Sequence, residues 1–261
     1  MIGLFLGDTD FSELVLKKIK RLSKKYFIID FSKNNKFKKD INSHRVSIGK
    51  FGKIINIIKK NKSKKVLFAG KIAKPKFSTL RLDLKGIYYM PSVIKAAKSG
   101  DAAIIKAIIK ILENENIKVI SSNFFNPELS LKLGNYTKLK ANTGDINSIK
   151  KGILYFNQLN SLDHIQALIV KDNKVIASEG NQGTKKMLSK LKKGSGGILI
   201  KLPKKKQDLR MDLPTIGLNT LKDCKKFGLK GVVLKSKKNI FLDKNKCISF
   251  ANKNKIFIKI I

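Results

Sequence analysis

Residues 3–31, GLFLGDTDFSELVLKKIKRLSKKYFIIDF, decide the fold of the first half of this chain. Gly3 to Leu6 is an apolar run that reads as a strand, and Gly7-Asp8-Thr9-Asp10 reads as the turn that ends it. Leu14, Ile19 and Leu22 then recur at helical spacing, which predicts a helix over Phe11 to Lys24, and Tyr26 to Phe31 reads as a second strand. Strand, helix and strand in that order make a βαβ opening. Working outward, Phe51 to Lys60 is helical by pattern and Val66 to Ala69 reads as a buried strand. Gly70 turns the chain and leaves Lys71 at that strand's carboxyl end, where open parallel sheets bind ligands; a loop lysine in solvent has the same signature. Asp101 follows Gly100 and reads as the N-cap of a helix from Ala102 to Glu113, and a strand near Lys118 to Ser121 closes this half.

Asn123 to Asn142 carries Pro127 and Gly134 and few periodic apolar positions, which reads as a domain junction. Beyond it the pattern predicts a helix from about Ile146 to Leu159 and a hairpin of Gln166 to Lys171 and Val175 to Ser178 around Asp172-Asn173. A helix capped by Thr184 and running through Leu191 follows, then a strand from Gly197 to Leu202. A helix from about Asn219 to Phe227 ending at Gly228, a strand from Lys230 to Leu234 and a final strand from Ile256 to Ile261 complete the pattern. The expected class is α/β in two domains. Residues 1–130 form an N-terminal Rossmann-like domain with a parallel sheet, and residues 131–261 a C-terminal mixed α/β domain that carries the chemistry.

Composition narrows the function. The 261 residues and 42% apolar content suit one large or two small globular domains. No apolar run is long enough to cross a bilayer, and Met1 to Leu6 leads at once into Gly7-Asp8, so it reads as a strand and not as a signal peptide. Cys224 and Cys247 have no CxxC spacing and no histidine cluster beside them, which fits neither a zinc site nor a disulfide framework and suits a reducing cytoplasm. A net charge of +39 favours anionic partners, either nucleic acid or an acidic membrane face. The lysines are spread along the chain, and no RNP block or CCHH spacing is present, so no specific nucleic-acid recognition is expected. Neither a GxGxxG nor a Walker loop occurs, and His44 and His164 lie far apart with no serine elbow, so both read as structural or exposed.

The stretch richest in chemistry is Gln207-Asp208-Leu209-Arg210-Met211-Asp212-Leu213-Pro214-Thr215-Ile216-Gly217. Only 18 acidic residues stand against 57 basic ones, yet Asp208 and Asp212 both fall here, and Arg210 is one of only four arginines with Arg21, Arg45 and Arg81. If extended, the segment puts Asp208, Arg210 and Asp212 on one face. Arg210 offers a fork for phosphate oxygens, and the carboxylates offer hard ligands for magnesium. The same spacing fits a solvated edge strand carrying an internal ion pair.

This segment resembles the QDxRxDLPxIG motif of the UDP-2,3-diacylglucosamine pyrophosphatase family of lipid A biosynthesis, the magnesium-dependent type unrelated to calcineurin-like phosphoesterases. The resemblance extends along the chain in family order. It takes in Ile48 to Lys53, Phe68 to Lys71, Lys74 to Phe77, Pro91-Ser92 and Gly100-Asp101, then Leu162 to Gln166, Glu179 to Met187 and Lys201. The chain departs from the family at acidic positions, with Ala102 in the GDD block and Gln182 and Lys185 in the EGTD block. Ser121-Ser122-Asn123 stands where many relatives carry a His-Glu pair.

The resemblance implies hydrolysis of UDP-2,3-diacylglucosamine at the α-phosphorus, giving UMP and 2,3-diacylglucosamine 1-phosphate. Asp212 is the expected catalytic carboxylate, and Asp212 and Asp208 are the expected ligands of Mg2+. Gly7, Asp10, Gly70, Lys71, Asp101, Glu179, Thr184, Lys201, Gln207, Arg210 and Thr215 are the expected substrate contacts. The implied protein is a cytoplasmic homodimer, peripheral at the cytoplasmic face of the inner membrane through its basic charge and the acyl chains of its substrate. The missing acids motivate an alternative, a catalytically impaired module that still binds the UDP-sugar lipid; a basic nucleic-acid-associated protein is a further one.

Overall fold

The computed structural model describes residues 1–159, 165–180, 182–204 and 208–261. They divide into two units, Met1–Asn126 and Pro127–Ile261. The first contains β1 (Ile2–Leu6), α1 (Asp10–Arg21), β2 (Tyr26–Asp30), β3 (Ser43–Arg45), α2 (Phe51–Lys60), β4 (Lys65–Ala69), α3 (Leu84–Lys98), α4 (Asp101–Asn114) and β5 (Lys118–Ile120). Its sheet is parallel throughout, in the order β3-β2-β1-β4-β5. Every residue of β1 is buried, as are the last four of β2 and of β4, so these strands read as continuous apolar runs because helices cover both faces. The chain leaves β1 in one direction for β2 and β3 and returns on the other side for β4 and β5. The order therefore reverses between β1 and β4.

The second unit contains β6 (Gly134–Asn135), α5 (Thr143–Gln158), β7 (Ala167–Lys171), β8 (Lys174–Ser178), α6 (Gly183–Ser189), β9 (Ile198–Lys201), β10 (Thr215–Ile216), α7 (Leu218–Lys226), β11 (Gly231–Leu234), β12 (Ile240–Phe241), α8 (Lys244–Lys253) and β13 (Phe257–Ile260). Its mixed sheet runs β6-β13-β11-β9-β7-β8, and β10 pairs with β12 alone. Alternate residues of the central strands feed two cores. Leu199, Val232 and Ile258 pack with Leu221, Cys224 and Cys247 of α7 and α8, whereas Ile198, Ile200 and Val233 pack with Ile149 of α5.

Several boundaries and elements differ from the sequence reading. α1 stops at Arg21, short of Lys24, because Ser23 turns left-handed at φ 51°. Asp101 is the first residue of α4 and not its cap; Gly100 holds that place at φ 104°. Thr184 likewise lies inside α6, capped by Gln182, and its hydroxyl is engaged elsewhere. The segment from Asp208 to Asp212 is a turn and not an extended strand. α3, α8, β3, β6, β10 and β12 had no counterpart in the pattern.

Candidate active site

In the second unit, β9 ends on Lys201, which pairs with Leu234 of β11 on one side and Ala167 of β7 on the other. Its ammonium donates to Thr184 Oγ1 at 3.1 Å and to the Thr215 carbonyl at 3.2 Å. The Thr184 hydroxyl donates in turn to Glu179 Oε1 at 2.7 Å, and Glu179 Oε2 accepts from the Gln166 amide at 3.0 Å. Glu179 is buried, so both oxygens meet donors that offset the loss of water. Burial lowers the pKa of Lys201 below the ordinary lysine value, against the opposing pull of the Glu179 and Asp212 charges. Lys201, Thr184, Glu179 and Thr215 thus form one polar cluster at the carboxyl end of β9.

The Asp208–Asp212 segment folds on itself. The amides of Met211 and Asp212 donate to the Asp208 carbonyl at 3.2 and 3.1 Å, and the Arg210 amide donates to Asp208 Oδ1 at 3.0 Å. Such side-chain capture of a nearby amide is how Asp starts turns. The Arg210 guanidinium closes the loop, with Nε 3.0 Å from Oδ1 and Nη2 2.8 Å from Oδ2 of Asp208. The internal ion pair foreseen for an edge strand therefore forms, within a turn, and it orients the fork of Arg210. Gln207, Asp163 and His164 lie outside the described residues.

In the first unit, Gly7, Gly70 and Lys71 meet where β1 and β4 end. A Cβ on Gly7 would sit 2.3 Å from the Lys71 carbonyl oxygen, and one on Gly70, at φ 83°, would sit 2.0 Å from Ser12 Oγ. Ser12 is buried, with Oγ 2.8 Å from the carbonyls of both Gly7 and Ala69, and the Asp8 amide donates to Lys71. This close approach lies at the reversal of strand order, where open α/β sheets form their crevice. The Lys71 side chain is exposed beside it. Asp10 and Asp101 are exposed at the first residues of α1 and α4, where a carboxylate complements the positive helix end, and Asp101 lies 3.7 Å from Lys74 Nζ. Sequence reasoning missed Ser12, which carries no local signal, and the Gln166 amide, whose role needs the sheet.

Among the described residues, no group of three or more His, Cys, Asp or Glu could by itself hold a metal. Magnesium commonly takes one or two carboxylates and fills its shell with water and substrate phosphate. Asp208 and Asp212 lie within one turn, and both carboxylate oxygens of Asp208 already accept from Arg210.

The chain matches the family model of the LpxI N-terminal domain over residues 1–129 and that of the LpxI C-terminal domain over residues 132–259. It is 30% identical over 223 residues to the UDP-2,3-diacylglucosamine pyrophosphatase LpxI of Caulobacter vibrioides, across 82% of this chain and 80% of that protein. The chain belongs to the LpxI family. The polar cluster of Lys201 falls in the part matched by the LpxI C-terminal domain, and the Gly7–Gly70 approach in the part matched by the LpxI N-terminal domain. Of the acidic positions that differ from the LpxI motifs, Ala102 is buried against the core, whereas Gln182 and Lys185 are exposed.

Proposed function

We propose that this protein hydrolyses the diphosphate of UDP-2,3-diacylglucosamine at the α-phosphorus, releasing UMP and 2,3-diacylglucosamine 1-phosphate for lipid A biosynthesis. The observation that carries this reading is the arrangement of Lys201, braced through Thr184 by buried Glu179, beside the Asp208–Asp212 turn. Desolvation strengthens the attraction of an ammonium for phosphate oxygens. Lys201 and Arg210 hold the diphosphate, the latter with its plane set by Asp208. Asp212 orients the attacking water, and Asp212 and Asp208 would hold the magnesium ion. Bound there, the ion would supply charge neutralisation at the diphosphate.

Asp212→Ala is expected to lower UMP release from UDP-2,3-diacylglucosamine in magnesium by about a thousandfold or more with an unchanged melting curve. Full turnover in that variant sinks the assignment. Tight binding of uncleaved substrate by the parent protein with no metal-dependent product would instead favour a binding module, with Ala102 and Lys185 as the positions to restore to acids.

A further inference from the structure

Helix α3 presents an apolar face to solvent. Leu84 is 86% exposed, Ile87 60%, Tyr88 77% and Ile94 39%. Their spacing of three, four and seven residues puts them on one side of the helix, with exposed Pro91 between them. The opposite side is already occupied, because Met90 and Val93 pack with Phe51 and Ile55 of α2 and Ile111 of α4.

The helix cannot roll to bury the outer stripe. Glu115, the residue after α4, accepts hydrogen bonds from Lys85, from Tyr89 Oη at 2.8 Å and from Lys59 of α2 at 3.1 Å. Burial raises the pKa of this carboxyl, and the bonds from Lys85, Tyr89 and Lys59 overcome that and bring it to about 2. The inner face is thus held by an ionised knot, and the outer face stays outward.

Cations frame the stripe. Exposed Arg81 precedes the helix, and exposed Lys95 and Lys98 continue the same face seven residues beyond Tyr88 and Pro91. A second copy of the chain would bring the same cations and another +39 of net charge against this face, which repels. An apolar stripe with a tyrosine and flanking cations matches the boundary between headgroups and acyl chains of an acidic bilayer.

We propose that the outer face of α3 docks on membranes containing anionic phospholipid, with Leu84, Ile87, Tyr88 and Ile94 among the upper acyl chains and Arg81, Lys95 and Lys98 against lipid phosphates. The docking stands apart from the hydrolase reading, and its assay contains no UDP-sugar, so failure of either leaves the other intact. The test is flotation of the full chain with vesicles of phosphatidylcholine and phosphatidylglycerol, against phosphatidylcholine alone.

The parent protein is expected to float with the mixed vesicles only. Leu84→Ser/Ile87→Ser/Tyr88→Ser, all at exposed positions, lowers the partition constant roughly tenfold or more at fixed salt with an unchanged melting curve. The chain has no tryptophan, so Tyr88→Trp adds a single reporter whose emission shifts to the blue on the mixed vesicles. The proposal is overturned if the triple variant floats like the parent, or if the Tyr88→Trp emission does not move. It is also overturned if the triple variant splits a dimer in sedimentation while flotation is unchanged, since the face would then join copies of the chain.

Discussion

A hydroxyl has one proton to give, and Thr184 gives it to Glu179 while accepting from Lys201. The direction of this chain makes Glu179 a positioning residue for Lys201. Glu179 and Asp212 both raise the affinity of Lys201 for its proton, against burial, which lowers it. Removing the Glu179 charge takes away one of the two supports, so Lys201 loses its proton at still lower pH. Glu179→Gln is therefore expected to shift the alkaline limb of the kcat/KM profile for UMP release to lower pH, and to reduce kcat/KM near neutrality roughly tenfold. A variant whose alkaline limb stays in place would show that Lys201 does not sense Glu179. Lys201 at a strand end was readable from its apolar run. The internal ion pair of the Asp208–Asp212 segment was also readable, but its setting in a turn was not, because residues two apart meet in a turn and share a face in a strand, and spacing fits both.

Among the elements, Asp83 joins two helices. Its carboxylate accepts the Gly52 and Lys53 amides, both at 3.0 Å, in the first turn of α2, and the Gly86 amide at 2.8 Å in the first turn of α3. Burial raises the Asp83 pKa, but these amides outweigh it and the net shift is downward. A depressed carboxylate pKa stabilises the fold above the ordinary value of 3.8, and that contribution fades as pH falls below it. Asp83→Ala is expected to cost about 1–2 kcal/mol in urea unfolding at neutral pH, with the gap from the parent closing in acid. Equal midpoints at neutral pH would refute the double cap. α3 itself escaped the pattern for two physical reasons. Pro91 sits inside it, where it removes an amide donor, and apolar residues occupy both its inner and outer faces, so no single stripe stands out. The parallel strands of the first unit were readable because burial on both faces leaves an uninterrupted apolar signature.

On the scale of the whole molecule, the second unit carries both cysteines, each buried and free. Burial pushes the Cys224 thiol up to about 12 and the Cys247 thiol up to about 11. Neither is a thiolate at neutral pH, and neither is open to a reagent. Native protein is expected to leave Ellman's reagent unreacted on the timescale in which urea-unfolded protein releases its full colour, so the reaction reports opening of the second unit alone. A thiol that reacts at once in the native protein would contradict this packing. The strand β13 occupies an inner place in the second sheet, between β6 and β11, although it is the last strand along the chain. During synthesis the ribosome therefore releases the first unit with every strand of its sheet in hand, while the second unit waits with a gap beside β11. Its nascent core stays open, and dependent on protection, until residues 257–260 have emerged.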